Sequence, residues 1–393
     1  MVLSDFDDIR PYAEGEMKDA FESMLADRQF DKILQGLIPL PKGMRNGLLR
    51  MMFVGIKTPL DFQKRFMKPL VYYVLHKATT GHSFFFPKSL DRKGNYTFMS
   101  NHRDIVLDSA FLDTFLLKDG FSTTVEIAIG NNLLIYPWIK TLVKMNKSFV
   151  VNRGLTPKEM LKSSIHMSQY MHFAINEKNE NIWIAQREGR AKDSDDRTQE
   201  SVLKMLNMGG PTAGRTTADI IENLRHMRIV PLAISYEYDP CDYLKAKEFQ
   251  QKRDDASYKK SQADDLLNMK TGVLGKKGRV RFQITGPMDN EIDEIVSKTS
   301  VKNEQLTMLA DAIDRRIHKN YSIFPNNKVA YDELFNENRF AGEYTKEEKQ
   351  RFDDYLEGQL QKIELENKDS VYLRTKMLEM YANPLVNHLK AIE

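Results

Sequence analysis

Hydrophobic and polar positions change rhythm along the 393 residues. Up to about residue 84, apolar residues recur at helical spacing between basic ones. From Phe84 to Asn336 the rhythm becomes short β-branched or aromatic runs separated by helical stretches. These runs predict strands at Asn95–Ser100, Thr124–Ile129, Ser148–Asn152, Asn181–Ala185, Ile229–Ser235 and Arg279–Thr285. Strands alternating with helices predict an α/β fold with a largely parallel central sheet and flanking helices. N-terminal and C-terminal helical segments complete it. The expected division is a helical, basic amphipathic segment over 1–84, an α/β domain over 85–336 and a helical appendage over 337–393. Thr156-Pro157-Lys158-Glu159 is the clearest helix start, a capping box with proline in the first turn. Two polar stretches, Ala191–Thr217 and Arg253–Gly278, are expected to be surface excursions.

Composition narrows this little: 41% hydrophobic and 29% charged residues describe a folded chain, not a disordered or polytopic membrane one. A net charge of +3 gives no ground for nucleic acid as a partner. Charge is unevenly placed, however. Asp31–Thr80 holds nine Lys or Arg against two acids, a local +7, so the other 343 residues sum to −4. These cations, Arg45, Arg50, Lys57 and Lys64 among them, alternate with Leu49, Met52, Phe53, Phe66 and Tyr73. Such a mixture is expected of helices lying on an anionic membrane surface; the alternative is basic helices packed on a neighbouring layer. One cysteine, Cys241, excludes an internal disulfide framework and multi-cysteine metal sites, and no metal is expected. The acidic start and the lack of a long apolar run predict a cytoplasmic protein, peripheral on the inner face of the membrane.

The segment richest in chemistry is Ser100-Asn101-His102-Arg103-Asp104-Ile105-Val106-Leu107-Asp108, which follows a strand and opens a helix. Sites form at the carboxyl ends of parallel strands, and an imidazole held by a carboxylate is a natural general base. Asp104 and Asp108, four apart, share a helix face, and either can reach His102. Asn146–Gly154 delivers Arg153 to a helix N-terminus, an arrangement suited to an anion. Trp183–Lys192 ends a strand with Arg187, Glu188, Gly189, Arg190 and Lys192, three cations and an acid around a glycine that lets backbone approach a ligand. Ile229–Glu237 is a buried strand containing Pro231. His102-Arg103-Asp104 also copies part of a kinase catalytic loop, but Ser109 stands where kinases need Asn, and no kinase glycine loop precedes it.

In this order the four blocks resemble those of the glycerolipid acyltransferase superfamily, the glycerol-3-phosphate and lysophosphatidate O-acyltransferases. Asn101-His102 matches block one, His-x4-Asp preceded by Asn. Phe149-Val150-Val151-Asn152-Arg153 matches the Phe-Ile-x-Arg strand of block two, Glu188-Gly189-Arg190 matches block three, and Val230-Pro231-Leu232-Ala233-Ile234 matches the apolar proline strand of block four. Gly278–Pro287 resembles a further strand of these enzymes, so the likeness spans about Asn95 to Pro287. Two departures stand out. Leu107 occupies the family's Asp position and the carboxylate comes one residue later, making Asp108 the expected partner of His102 and Asp104 the alternative. Block three lacks the residue usual between Gly and Arg, unless Gly189-Arg190-Ala191-Lys192 aligns with the Gly-Arg-Ser-Arg of glycerol-3-phosphate acyltransferases.

The resemblance implies direct acyl transfer in phospholipid synthesis. A fatty acyl group would pass from acyl-CoA or acyl-carrier protein, as co-substrate rather than cofactor, to a hydroxyl of glycerol-3-phosphate or lysophosphatidate. It implies His102 as base, Asp108 as its orienting partner, and Arg153, Arg187, Glu188, Gly189, Arg190, Lys192 and Pro231 as the substrate-binding set. The alternatives are O-acylation of an N-acyl amino acid lipid and a catalytically inactive membrane-surface binding protein of the same fold.

Overall fold

The structure is a computed structural model describing residues 1–213 and 219–393; the end of the first polar excursion therefore lies outside the described residues. Seven strands form one sheet in the order β1-β7-β6-β2-β5-β3-β4. They are β1 (Thr79–Phe85), β2 (Thr97–Ser100), β3 (Val125–Gly130), β4 (Ser148–Val151), β5 (Asn181–Ala185), β6 (Ile229–Tyr236) and β7 (Gly278–Ile284). Every neighbouring pair is parallel except β6 and β7. The fold is thus α/β with a largely parallel sheet, as the alternation of strands and helices predicts.

Both faces of the sheet are covered, which explains why its strands read as continuous apolar runs. Along β2, β5 and β6 successive side chains serve opposite layers. Met99, Ile182, Ile184 and Ala233 join the core beneath the Pro157–Asn176 and Lys302–Lys319 helices. Phe98, Trp183, Val230, Leu232 and Ile234 join the core beneath the Leu107–Asp119 helix. The Pro157–Asn176 helix begins at the expected capping box: Thr156 Oγ1 accepts from the Glu159 amide at 3.5 Å, and the Glu159 carboxylate accepts from the Thr156 amide at 3.0 Å.

The edges depart from expectation. β1 lies almost wholly inside the stretch expected to be helical. Its sequence, Thr-Thr-Gly-His-Ser-Phe-Phe, continues a helix without a break and has no apolar run, because an edge strand is only half covered. Its partner β7 comes two hundred residues later. The helices before β1 have a core of their own, in which Phe21 stacks on Phe53 at 3.9 Å beside Leu49, Phe62 and Met145. Gln63 ties that layer to the sheet, donating to Asp113 Oδ2 at 2.9 Å and accepting from Thr124 Oγ1. At the other end, the Ser370–Ile392 helix packs against the Asp242–Asp254, Lys302–Lys319 and Pro325–Phe335 helices.

Neither polar stretch is a simple excursion. In the first, Ser194, Asp196, Thr198, Leu203 and Leu206 are buried. Gly209 passes so close to the Pro157–Asn176 helix that a Cβ would lie 2.3 Å from the Gln169 nitrogen. The second forms a helix, Gln262–Leu274, capped by Ser261 and folded over the carboxyl ends of the strands.

Candidate active site

β2 is central, so its carboxyl end opens between those of β5 and β6. Asn101 extends the β2–β6 ladder with its side chain: Nδ2 donates to the Ile234 carbonyl at 2.9 Å and Oδ1 accepts from the Ile234 amide at 2.8 Å. That latch fixes the last point of the strand and lets the chain turn at His102. The Arg103–Val106 turn follows, and the helix begins at Leu107.

Asp108 is in the first helical turn and has no exposed surface. Its Oδ2 sits 2.8 Å from His102 Nδ1 and accepts from the Arg103 and Asp104 amides at 2.6 and 3.0 Å. Its Oδ1 accepts from the Tyr236 hydroxyl at 2.9 Å. Asp104 turns away from the ring. Its Oδ1 caps the helix, accepting from the Val106 and Leu107 amides at 2.9 Å each, while Oδ2 is 4.0 Å from Lys277 Nζ. Of the two carboxylates left open by spacing, the structure brings Asp108 to His102 and gives Asp104 to the helix end. The extra residue relative to His-x4-Asp is absorbed in the turn that Asp104 caps.

His102 keeps 13% of its side chain exposed, and its ring meets the edge of Trp183 at 5.3 Å between centroids. Trp183 is itself oriented by a bond from Nε1 to Ser100 Oγ at 3.0 Å. With Nδ1 committed to Asp108, the ring's other nitrogen has no partner among the described residues, so the imidazole is arranged to accept a proton there.

The four cations have four settings. Arg153, at the end of β4, is exposed, lies along Gly130 and comes within 3.7 Å of Glu188, so blocks two and three meet at the mouth. Arg190 Nη2 donates to Asn268 Oδ1 at 3.1 Å, held by the Gln262–Leu274 helix that covers it. Lys192 is paired with Glu248, which also takes Lys252 at 3.0 Å. Lys192 is therefore fixed by a structural ion pair, not presented to the opening. Arg187 is partly buried and its Nε has no partner among the described residues. Gly189 adopts φ +68°, the left-handed conformation its position in the turn requires. Pro231 is set apart from this group. It is buried inside β6, paired in register with Met99, and its carbonyl accepts from the Thr285 amide at 3.0 Å. By register it lies one residue before the end of β2 and five before the end of β6.

Several site groups escaped sequence reasoning. Tyr236 was visible as a polar residue ending an apolar strand, but nothing in the pattern paired it with Asp108. Arg103, almost fully buried, bridges to Asp196 at 3.1 Å and lies over the Tyr321 ring. Lys277 is wholly buried, and burial pulls its pKa down against the Asp104 carboxylate that pushes it up. Burial likewise raises Asp104 and Asp196, opposed by Lys277 and Arg103 respectively. Gln186, ending β5, has both side-chain amide atoms buried without a partner among the described residues. Burial beside Asp239 pushes the Cys241 thiol up to about 11, so the one cysteine is no thiolate at neutral pH.

No family model matches the chain, and no curated protein matches it. Among solved structures it is similar to the 1-acyl-sn-glycerophosphate acyltransferase from Thermotoga maritima, with a TM-score of 0.37 and 10% sequence identity. That likeness covers 77% of this chain and 97% of the other, and it is too slight to carry any inference.

Proposed function

We propose that the chain is an O-acyltransferase moving a fatty acyl group from a thioester, acyl-CoA or acyl-carrier protein, to a hydroxyl of glycerol-3-phosphate or lysophosphatidate in phospholipid synthesis. The observation that carries this reading is the His102–Asp108 pair at the carboxyl end of the central strand, with one imidazole nitrogen held and the other free. His102 takes the proton of the acceptor hydroxyl, and Asp108 stabilises the imidazolium. The alkoxide adds to the thioester carbonyl, the C–S bond breaks, and the thiolate leaves with the proton returned from His102. Arg153 and Arg190 hold the acceptor's phosphate, with Arg187 as third cation, since guanidinium offers paired donors in one plane.

The membrane part of the proposal keeps Met52, Lys57 and Lys64 of the residues the charge pattern picked out and replaces others. Leu49 and Phe53 are buried, Arg45 is buried on Asp31, and Arg50 is paired with Glu22 at 2.7 Å. The Lys42–Phe53 helix instead exposes Met44, Leu48, Met51 and Met52, continued by Val54, beside exposed Lys57, Lys64 and Arg65, while Lys42 lies 3.4 Å from Asp31. An apolar ridge rimmed by cations fits an anionic membrane surface, each well-placed cation adding about 1 kcal/mol. No described helix is long and apolar enough to cross a membrane. The protein then works at the inner face, where acyl chains and the lipid product are at hand.

The test is purified protein supplied with acyl-CoA or acyl-carrier protein and a panel of acceptors, with products read by mass spectrometry. Acylated glycerol-3-phosphate or lysophosphatidate, lost in His102→Ala, is expected. Wild-type turnover in folded His102→Ala protein overturns the mechanism. Acylation of an N-acyl amino acid alone moves the assignment to that acceptor.

A further inference from the structure

Asp108 is over-determined at one oxygen and singly held at the other. Oδ2 takes His102 and two backbone amides, whereas Oδ1 takes the Tyr236 hydroxyl alone among the described residues. The three bonds to Oδ2 come from one continuous turn and come with the fold of that turn. The bond to Oδ1 comes from another strand, 128 residues away, at the Tyr236–Val280 end of the one antiparallel pair among the described residues. A phenol donating to a carboxylate draws negative charge toward Oδ1 and away from the oxygen that faces the imidazole.

We infer that Tyr236 is a positioning residue that acts through Asp108 to fix the carboxylate against His102 and to set how strongly the imidazole holds a proton. This rests on His102 being the base of the proposed reaction. With the Tyr236 donor in place, both oxygens of Asp108 are held, and the ring is oriented through Nδ1 with its other nitrogen left without a partner among the described residues. Other charged groups gather around the pair. Asp104 and Arg103 come from the turn, Asp196 from the segment after β5, Asp239 from the end of β6, Lys277 from the approach to β7 and Arg190 from the covered cationic group. Arg103 is matched by Asp196, Lys277 faces Asp104, and Asp239 is paired with Lys245 at 2.5 Å. Among the described residues no Lys or Arg side chain reaches Asp108, and beside His102 and two amides its donor is the neutral Tyr236 hydroxyl.

The test is a ring-nitrogen NMR titration of the full chain labelled at its eight histidines, with His102 assigned by loss of its signal in His102→Gln. In Tyr236→Phe the His102 pKa should rise by about one unit. The acid limb of kcat/KM should move up by the same amount, with the acceptor's KM unchanged. 3-Fluorotyrosine at position 236 keeps the shape and strengthens the donor, so it should shift His102 the other way; it also carries the test if Tyr236→Phe does not fold. A His102 pKa indifferent to both replacements, or moved in one direction by both, overturns the inference. If His102 shifts as expected while the acid limb stays put, Tyr236 positions Asp108 as stated, and it is the assignment of His102 as base that fails.

Discussion

Replacing each of the two carboxylates by its amide separates their roles. Asn at 108 can still accept the Arg103 and Asp104 amides through its carbonyl oxygen, and Tyr236 can turn its hydroxyl to accept from the new NH2, so the turn has a route to survive. What disappears is the charge opposite the ring. The Asp108 oxygen is 2.8 Å from His102 Nδ1, which puts the centres of charge about 4 Å apart; at an effective dielectric near 20 that attraction is about 4 kcal/mol. It is felt only once His102 has taken the proton, so it lowers the barrier and not the binding energy. At roughly 1.4 kcal/mol per decade, Asp108→Asn should cost about a thousandfold in kcat with little change in KM. Asp104→Asn keeps a capping oxygen for the Val106 and Leu107 amides, and Asn caps about as well as Asp, so turnover should fall less than about threefold. Its cost appears instead in stability, because Lys277 is left buried without its carboxylate. Initial rates by mass spectrometry, with circular dichroism melts of each variant, decide the matter. A severe Asp104→Asn beside a near-normal Asp108→Asn would refute the assignment of partner.

Arg153→Ala and Arg190→Ala should chiefly raise the acceptor's KM, and Arg190→Ala should also lower the melting temperature because it frees the Gln262–Leu274 helix at Asn268; if both weaken only the thioester donor, the cations grip the donor instead. Vesicle co-sedimentation should rise with anionic lipid and fall with salt and when Lys57, Lys64 and Arg65 are changed together to Gln, whereas Arg45→Gln should act on folding through its pair with Asp31; binding indifferent to the three changes removes the ridge from the mechanism. Asp113 is buried on Gln63 and the Val125 amide, and burial raises its pKa from 3.8 to about 7. The folded state therefore favours the neutral acid: its contribution is full below about pH 4 and is lost as pH climbs to about 7. Thermal melts should decline over that window in the wild type and flatten in Asp113→Asn; an unchanged slope would place the titration elsewhere.

What was legible in the sequence followed from local chemistry. Five of the six strands that announce themselves are inner ones, whose two faces must both be apolar, and the sixth, β4, lies at an edge but still buries Phe149 and Val150; the Thr156 box names its helix because a cap is made within four residues. The His102 setting was legible for the same reason, since a strand end and the first turn of a helix are close along the chain. The choice between Asp104 and Asp108 was not, because one residue of turn geometry decides it. β1 was hidden because, unlike the other edge strand β4, it buries none of its residues fully and so carries no apolar run. Tyr236, Asn268 and Lys277 were hidden by distance: each meets its partner across 70 residues or more, and no periodicity records that. Pro231 lies where the sequence put it, inside a buried strand.

The Ser370–Ile392 helix reaches back across the molecule. Asn383 donates to the Asp193 carbonyl at 2.8 Å, and Asn387 joins Asp195 at 3.0 Å and Arg197 at 2.8 Å, so this helix pins the segment that runs from Arg190 to the Arg103–Asp196 bridge. Chains are made from the N-terminus at some 5–20 residues per second, so on the ribosome that segment waits about ten seconds or more for its clasp. His102 and Asp108 can meet early, but the cationic side of the opening is finished only when the last helix has been made. A nascent chain halted before residue 370 would carry the His102–Asp108 pair without the clasp on Asp193 and Asp195.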